Sequence, residues 1–103
     1  MKKANIFVNG RLAGQLQEIE QGKHYLFVYA DNYQGPSVSL EMPTTQSKYE
    51  FNRFPPFFEG LLPEGIMLDG LLRQTKIDRD DLMAQLIMVG GDLVGNVTVE
   101  AIK

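Results

Sequence analysis

The single histidine, His24, and a scatter of carboxylates are the side chains of this sequence best suited to chemistry. A catalytic imidazole needs a nucleophile to deprotonate and a carboxylate to orient it. Nothing close to His24 in sequence supplies either, so it reads as a partly exposed structural residue. Asp78, Asp80 and Asp81 lie close enough to surround a cation. They lack the turn glycine and distal glutamate of a calcium loop, and their spacing suits the charged first turn of a helix better. Glu41, Glu50, Glu59 and Glu64 are candidates for paired acid–base work. No feature brings two of them into one cleft, where unequal surroundings would separate their pKa values.

Two further motifs fail on context. Gly90-Gly91-Asp92-Leu93-Val94-Gly95 has the look of a phosphate loop but matches neither GxGxxG nor a P-loop. It also follows an expected helix, whereas phosphates sit at helix N-termini, where N–H groups are free. Asn96-Val97-Thr98 is a glycosylation sequon without a secretory signal before it. The absence of cysteine excludes disulfides, thiolate nucleophiles and Cys-ligated zinc. The sequence therefore predicts a non-enzymatic protein with no catalytic residues, no cofactor and no metal site.

The bulk properties point the same way. At 103 residues the chain supports one domain, 1–103, with 44% hydrophobic residues to build its core. Its formal net charge of -3 lacks the basic footprint of a nucleic-acid binder. The apolar run after Lys2-Lys3 is broken by Asn5 and Asn9 before it forms a signal-peptide core. No stretch reaches the roughly 20 apolar residues of a membrane helix. A cytoplasmic location without membrane or direct nucleic-acid contact is expected.

The elements that would carry these residues divide into a β-rich first part and a helical second part. Ile6-Phe7-Val8 leads into Asn9-Gly10, a strong hairpin signal because both residues tolerate positive φ. Arg11 to Ile19 returns, with Leu12, Gly14 and Leu16 expected on one face. After Gln21-Gly22, the segment His24–Ala30 is rich in the aromatic and β-branched residues of strands. Val38, Leu40 and Met42 alternate with polar residues and predict a half-buried strand ending at Pro43.

Pro63 and Glu64 then open a short helix whose buried stripe is Leu68, Leu71 and Leu72. A second helix is expected with Asp78 as N-cap and Leu82, Leu86 and Val89 inward, widened by Met83 and Ile87. Gly90-Gly91 would end it through a left-handed cap. Asn96–Ile102 is a last strand that must rejoin the N-terminal sheet. The fold class is α+β: a curved, mostly antiparallel sheet or partial barrel of about five strands, with two short helices on one side.

Between the two parts runs Phe54-Pro55-Pro56-Phe57-Phe58-Glu59-Gly60-Leu61-Leu62-Pro63-Glu64-Gly65. Its prolines forbid a central strand or a continuous helix. Phe57 and Phe58 are expected beneath the sheet, since aromatics bury large areas. Leu61 to Met67 fit an exposed binding edge better.

The Asn9-Gly10-Arg11 turn, Gly14, Val38-Ser39-Leu40, the FFEGLLPEG stretch from Phe57 to Gly65, the leucine helix and Gly90–Gly95 come in an order that resembles one family. It is similar to the N-terminal subdomain of HipA-type serine/threonine kinases, toxins of bacterial toxin–antitoxin systems, over nearly the whole chain. Those kinases continue for some hundreds of residues into a phosphate-binding loop, a catalytic Asp and a metal-binding Asp. This sequence runs from Met1 to Lys103, ending after the last strand, which fits a complete small protein or a piece of a longer one.

The resemblance implies three roles. The first is a stand-alone antitoxin of three-component HipBST systems, which binds and restrains a HipT-type kinase lacking this subdomain. The second is a structural N-terminal subdomain of a full-length HipA kinase. The third is a corepressor partner of a HipB-like DNA-binding protein. For the first, the expected partner-binding residues are Leu61, Leu62, Glu64, Ile66, Met67 and Asp69, an apolar patch with a polar rim.

Overall fold

The computed structural model describes residues 2–93 and 95–102. Met1, Lys103 and Val94, the last within the glycine-rich stretch, lie outside the described residues. Eight elements follow in order: β1 (Lys2–Val8), β2 (Arg11–Glu20), β3 (His24–Tyr29), β4 (Lys48–Phe51), α1 (Pro56–Glu59), α2 (Gly65–Thr75), α3 (Leu82–Val89) and β5 (Val97–Ala101). The strands form one curved, unclosed sheet in the order β4-β3-β2-β1-β5, every neighbouring pair antiparallel. Asn9 and Gly10 take φ of 52° and 79° and turn the chain between β1 and β2. The last strand lies beside the first, as its need for a partner required.

One face of the sheet makes the core. Ile6 and Val8 stand opposite Val99 and Val97, and Ala4, Leu16 and Phe27 continue the layer across three strands. Phe54, Pro55 and Phe58 close over it from the proline-rich connection, and Met83 and Leu86 from α3. Phe58 is fully buried and sits 6.1 Å from the Phe27 ring, while half-buried Phe57 packs edge-on against Phe58 at 5.2 Å. Fully burying one such side chain stabilises the fold by about 1.5–3 kcal/mol. The connection expected to be irregular contains the single turn α1, because Pro56 occupies its first position, where proline's missing N–H does no harm.

Four details differ from the sequence reading. The fourth strand is Lys48–Phe51, not Val38–Met42. Val38 and Met42 are both buried, but Leu40 between them is 97% exposed, so the segment is a loop. The Tyr29 hydroxyl accepts from Val38 N at 2.9 Å and donates to the Met42 carbonyl, pinning that loop at both ends. In β2, Ile6 faces Gly14 but Phe7 faces Leu12, which makes Ala13 a bulge. The extra residue turns Ala13 inward and leaves Leu12 exposed, separating it from Leu16.

Helix α3 begins later than expected. Asp81, not Asp78, is its N-cap, accepting from Ala84 N at 3.1 Å. The Asp78 and Arg79 carbonyls instead take both hydrogen bonds of the buried Gln85 amide, at 3.1 and 2.9 Å. The buried residues of α3 are accordingly Met83, Gln85 and Leu86, with Leu82 and Val89 half-buried. Its end also differs: Gly90 is right-handed, with φ of -56°. Glycine is needed there because a Cβ would stand 2.1 Å from the Val99 carbonyl oxygen.

Candidate partner-binding surface

Helix α2 is rich in apolar residues, yet none of them is buried. Leu68, Leu71 and Leu72, expected as its buried stripe, are only half-buried and take no part in the core. The inner face of the sheet is already covered by α1, α3 and the loop bearing Val38 and Met42, so little apolar surface is left for α2. The helix starts at Gly65, with Glu64 in the N-cap position and no side-chain cap. It stops at Lys76, whose left-handed conformation (φ 58°) directs its N–H to the Leu72 carbonyl.

The six expected contact residues fall into three groups. Ile66 and Met67, in the first turn of α2, are 88% and 76% exposed. Leu61 and Leu62 are half-buried, resting on the edge of the core just before the helix. Glu64 is exposed, whereas Asp69 is engaged by Arg79, whose Nη2 donates to Oδ1 at 2.7 Å. The polar rim is thus partly consumed by an internal ion pair.

A groove of about 550 Å³ lies beside this helix. Leu61, Leu62, Pro63, Met67, Val89 and Leu93 provide its apolar walls. Val89 and Leu93 were not singled out for binding from sequence. The sequence places Val89 on the core stripe of α3, and Leu93 falls inside a glycine-rich stretch that carries no recognisable binding motif. The usable signal is an apolar residue, Leu93, next to an acidic one, Asp92, just after an expected helix end.

Other candidate chemistry is dispersed. His24 Nε2 lies 2.8 Å from Glu50 Oε2 on the exposed outer side of β3 and β4, in a hollow shared with Lys23, Phe51 and Asn52. Lys2 Nζ sits 2.7 Å from Asp81 and 3.8 Å from Glu18. The Tyr25 hydroxyl donates to Glu18 at 2.8 Å and accepts from Gly22 N at 2.9 Å. Burial is the main reason that the Tyr25 phenol is pushed up to about 12, with the Glu18 carboxylate adding to it against the Gly22 hydrogen bond. This cluster ties the start of α3 to the sheet. Among the described residues, no three His, Cys, Asp or Glu side chains gather as metal ligands, and no helix is long and apolar enough to span a membrane.

The family model for the HipA N-terminal domain matches residues 4–100. The chain belongs to the HipA N-terminal domain family. A protein of Haemophilus influenzae, described as uncharacterized, is 30% identical over 103 residues, all of this chain and 95% of that protein. A solved structure described as the N-terminal domain of HipA toxin superposes with a TM-score of 0.78 at 27% identity, covering all of this chain and 94% of that one. As a HipA N-terminal domain, the chain corresponds to a non-catalytic subdomain of its relatives.

Proposed function

We propose that this HipA N-terminal domain acts as a free-standing antitoxin of the HipS kind, binding a HipT-type serine/threonine kinase and holding it inactive. The observation that carries the reading is α2: an apolar helix in a domain whose core is complete without it. Apolar side chains left in water at this density mark a surface meant for another protein. In a kinase of this family the domain belongs to a larger chain; as a separate protein it must keep the contact surface. The relative in Haemophilus influenzae is matched over 95% of its own length, which supports the existence of free-standing domains of this size.

On this reading the protein performs no phosphoryl transfer. That reaction needs positioned phosphate-binding and metal-holding groups. Its partner is a kinase in the cytoplasm, and a HipB-like DNA-binding protein joins through that kinase. Leu61, Leu62, Glu64, Ile66 and Met67 make the contact. Asp69 contributes by holding α2 through Arg79.

The test is to purify the kinase encoded by the adjacent reading frame and measure its autophosphorylation with and without this protein. Stoichiometric complex formation, loss of autophosphorylation and relief of growth arrest are expected. Inhibition that weakens as ATP is raised would mean that the ATP site is covered; inhibition insensitive to ATP would mean restraint from outside. An adjacent kinase that neither binds nor loses activity would sink the antitoxin reading. A reading frame that runs on uninterrupted into a kinase would favour the structural subdomain.

A further inference from the structure

The groove beside α2 has a character of its own. Its walls are aliphatic, and among the described residues Asp92 is the only charged one lining it. Glu59 and Glu64 bracket the Gly60–Pro63 wall in the chain, and all three carboxylates are exposed. Among the described residues none of the three takes part in an ion pair. Arg79 lines the smaller neighbouring hollow together with Glu59 and Glu64, and its guanidinium is engaged with Asp69.

We propose that this groove receives an apolar side chain of a partner protein that is flanked by lysine or arginine. An aliphatic or aromatic anchor would fill the space between Leu62, Met67 and Leu93. Its basic neighbours would meet Asp92 in the lining, and Glu59 and Glu64 where they flank the Gly60–Pro63 wall in the chain. The inference deepens the antitoxin reading by naming the chemistry of the kinase segment that docks. It differs from the contact made by the projecting Ile66, because here this chain supplies the socket, to which Met67 contributes a wall. Complementary charge around an apolar anchor selects the partner and its orientation, while the anchor supplies the affinity. An acidic or uncharged partner segment would leave the three carboxylates unanswered.

Two synthetic hexapeptides, blocked at both ends, test the groove without the kinase. One reads lysine-alanine-leucine-phenylalanine-alanine-lysine; the other has glutamate at both ends. Each is titrated to millimolar concentration into the isotope-labelled full chain, with amide resonances followed by NMR. The basic peptide is expected to shift Leu61, Leu62, Val89 and Leu93 in a saturable way, and the acidic one to bind at least about 5-fold more weakly. Asp92→Lys should weaken the basic peptide by a similar factor. Equal binding of both peptides would overturn the charge selection, and shifts elsewhere or none would overturn the groove.

The kinase gives a second readout. Wild-type binding with unchanged affinity in Asp92→Lys and in Leu93→Asp, each confirmed folded by its melting curve, would overturn the groove and leave the antitoxin reading intact. Capture of the basic peptide in the groove by a protein that ignores the kinase would do the reverse.

Discussion

Arg79 Nη2 donates to Asp69 Oδ1 at 2.7 Å, and among the described residues this is the one side-chain hydrogen bond or ion pair joining α2 to the rest of the molecule. Arg79 lies in the connection between α2 and α3, so the pair folds that connection back onto the helix it leaves. Both partners are substantially exposed, and exposed pairs are worth about 0.2–1 kcal/mol and are screened by salt. The helix is therefore held by one weak ionic contact and by half-buried leucines.

Arg79→Ala should leave the global melting transition almost unchanged. Amide exchange within α2 should accelerate by about 1.4- to 5-fold, the factor corresponding to the loss of such a pair. Raising salt should do the same to the wild type and little to the variant. Hydrogen exchange read residue by residue is the measurement. Equal acceleration throughout the sheet would mean that α2 opens only when the whole domain unfolds.

The sheet and the proline-rich cover were legible because their signals are local. Asn9-Gly10 names its turn, His24–Tyr29 names a strand by composition, and the phenylalanines of the connection have nowhere else to go. The loop at Val38–Met42 was not legible, since its alternation is real but a tyrosine hydroxyl nine residues away decides its shape. The Ala13 bulge was hidden for a similar reason: it is defined by the register with β1, not by its own sequence. The leucines of α2 show the limit most plainly. Helical periodicity says which side chains share a face, but only the packing of α1 and α3 says whether a core remains for that face to meet.

Gly90 and Gly91, adjacent in sequence, should respond oppositely to a methyl group. Val99 N donates to the Gly90 carbonyl at 2.9 Å, and this approach leaves no room for a Cβ at Gly90. Around Gly91 nothing lies within 4 Å. Gly90→Ala is expected to destabilise the fold by about 1–3 kcal/mol through overpacking against β5. Gly91→Ala should stay within about 0.5 kcal/mol. Paired urea titrations decide it; equal stability of the two variants would mean that β5 yields freely.

Alkaline pH should unfold this domain partly through Tyr25. The folded state holds the phenolic proton more tightly than the unfolded chain, whose value is near 10, because burial penalises the phenolate and Glu18 repels it. Stability is thus intact below pH 10 and declines as pH climbs toward 12. Tyr29, also raised chiefly by burial, adds to the same decline. Tyr25→Phe should lower stability at neutral pH by about 1–3 kcal/mol, since the buried Glu18 carboxylate loses a donor. It should also flatten the fall above pH 10. Urea midpoints between pH 8 and 11 provide the measurement, and an unchanged slope in the variant would remove Tyr25 from the account.

Substitutions along α2 separate what folds the domain from what the domain binds. Leu86→Ala, in the core, should cost about 2–5 kcal/mol. Leu72→Ala, half-buried and outside the core, should cost about 1 kcal/mol or less. Ile66→Asp and Met67→Asp replace side chains that are 88% and 76% exposed and should also leave stability within about 1 kcal/mol. If either is an anchor, its Asp variant should bind the kinase about 30-fold more weakly, equivalent to ~2 kcal/mol, and fail to relieve toxicity. Melting curves beside kinase affinities test both statements on the same preparations. Unfolding of both Asp variants would make the first turn of α2 part of the core after all. Folded variants that inhibit fully would move the contact away from the exposed first turn and, because Met67 also lines the groove, would count against its Met67 wall, leaving Leu93→Asp and Asp92→Lys to test the opposite wall.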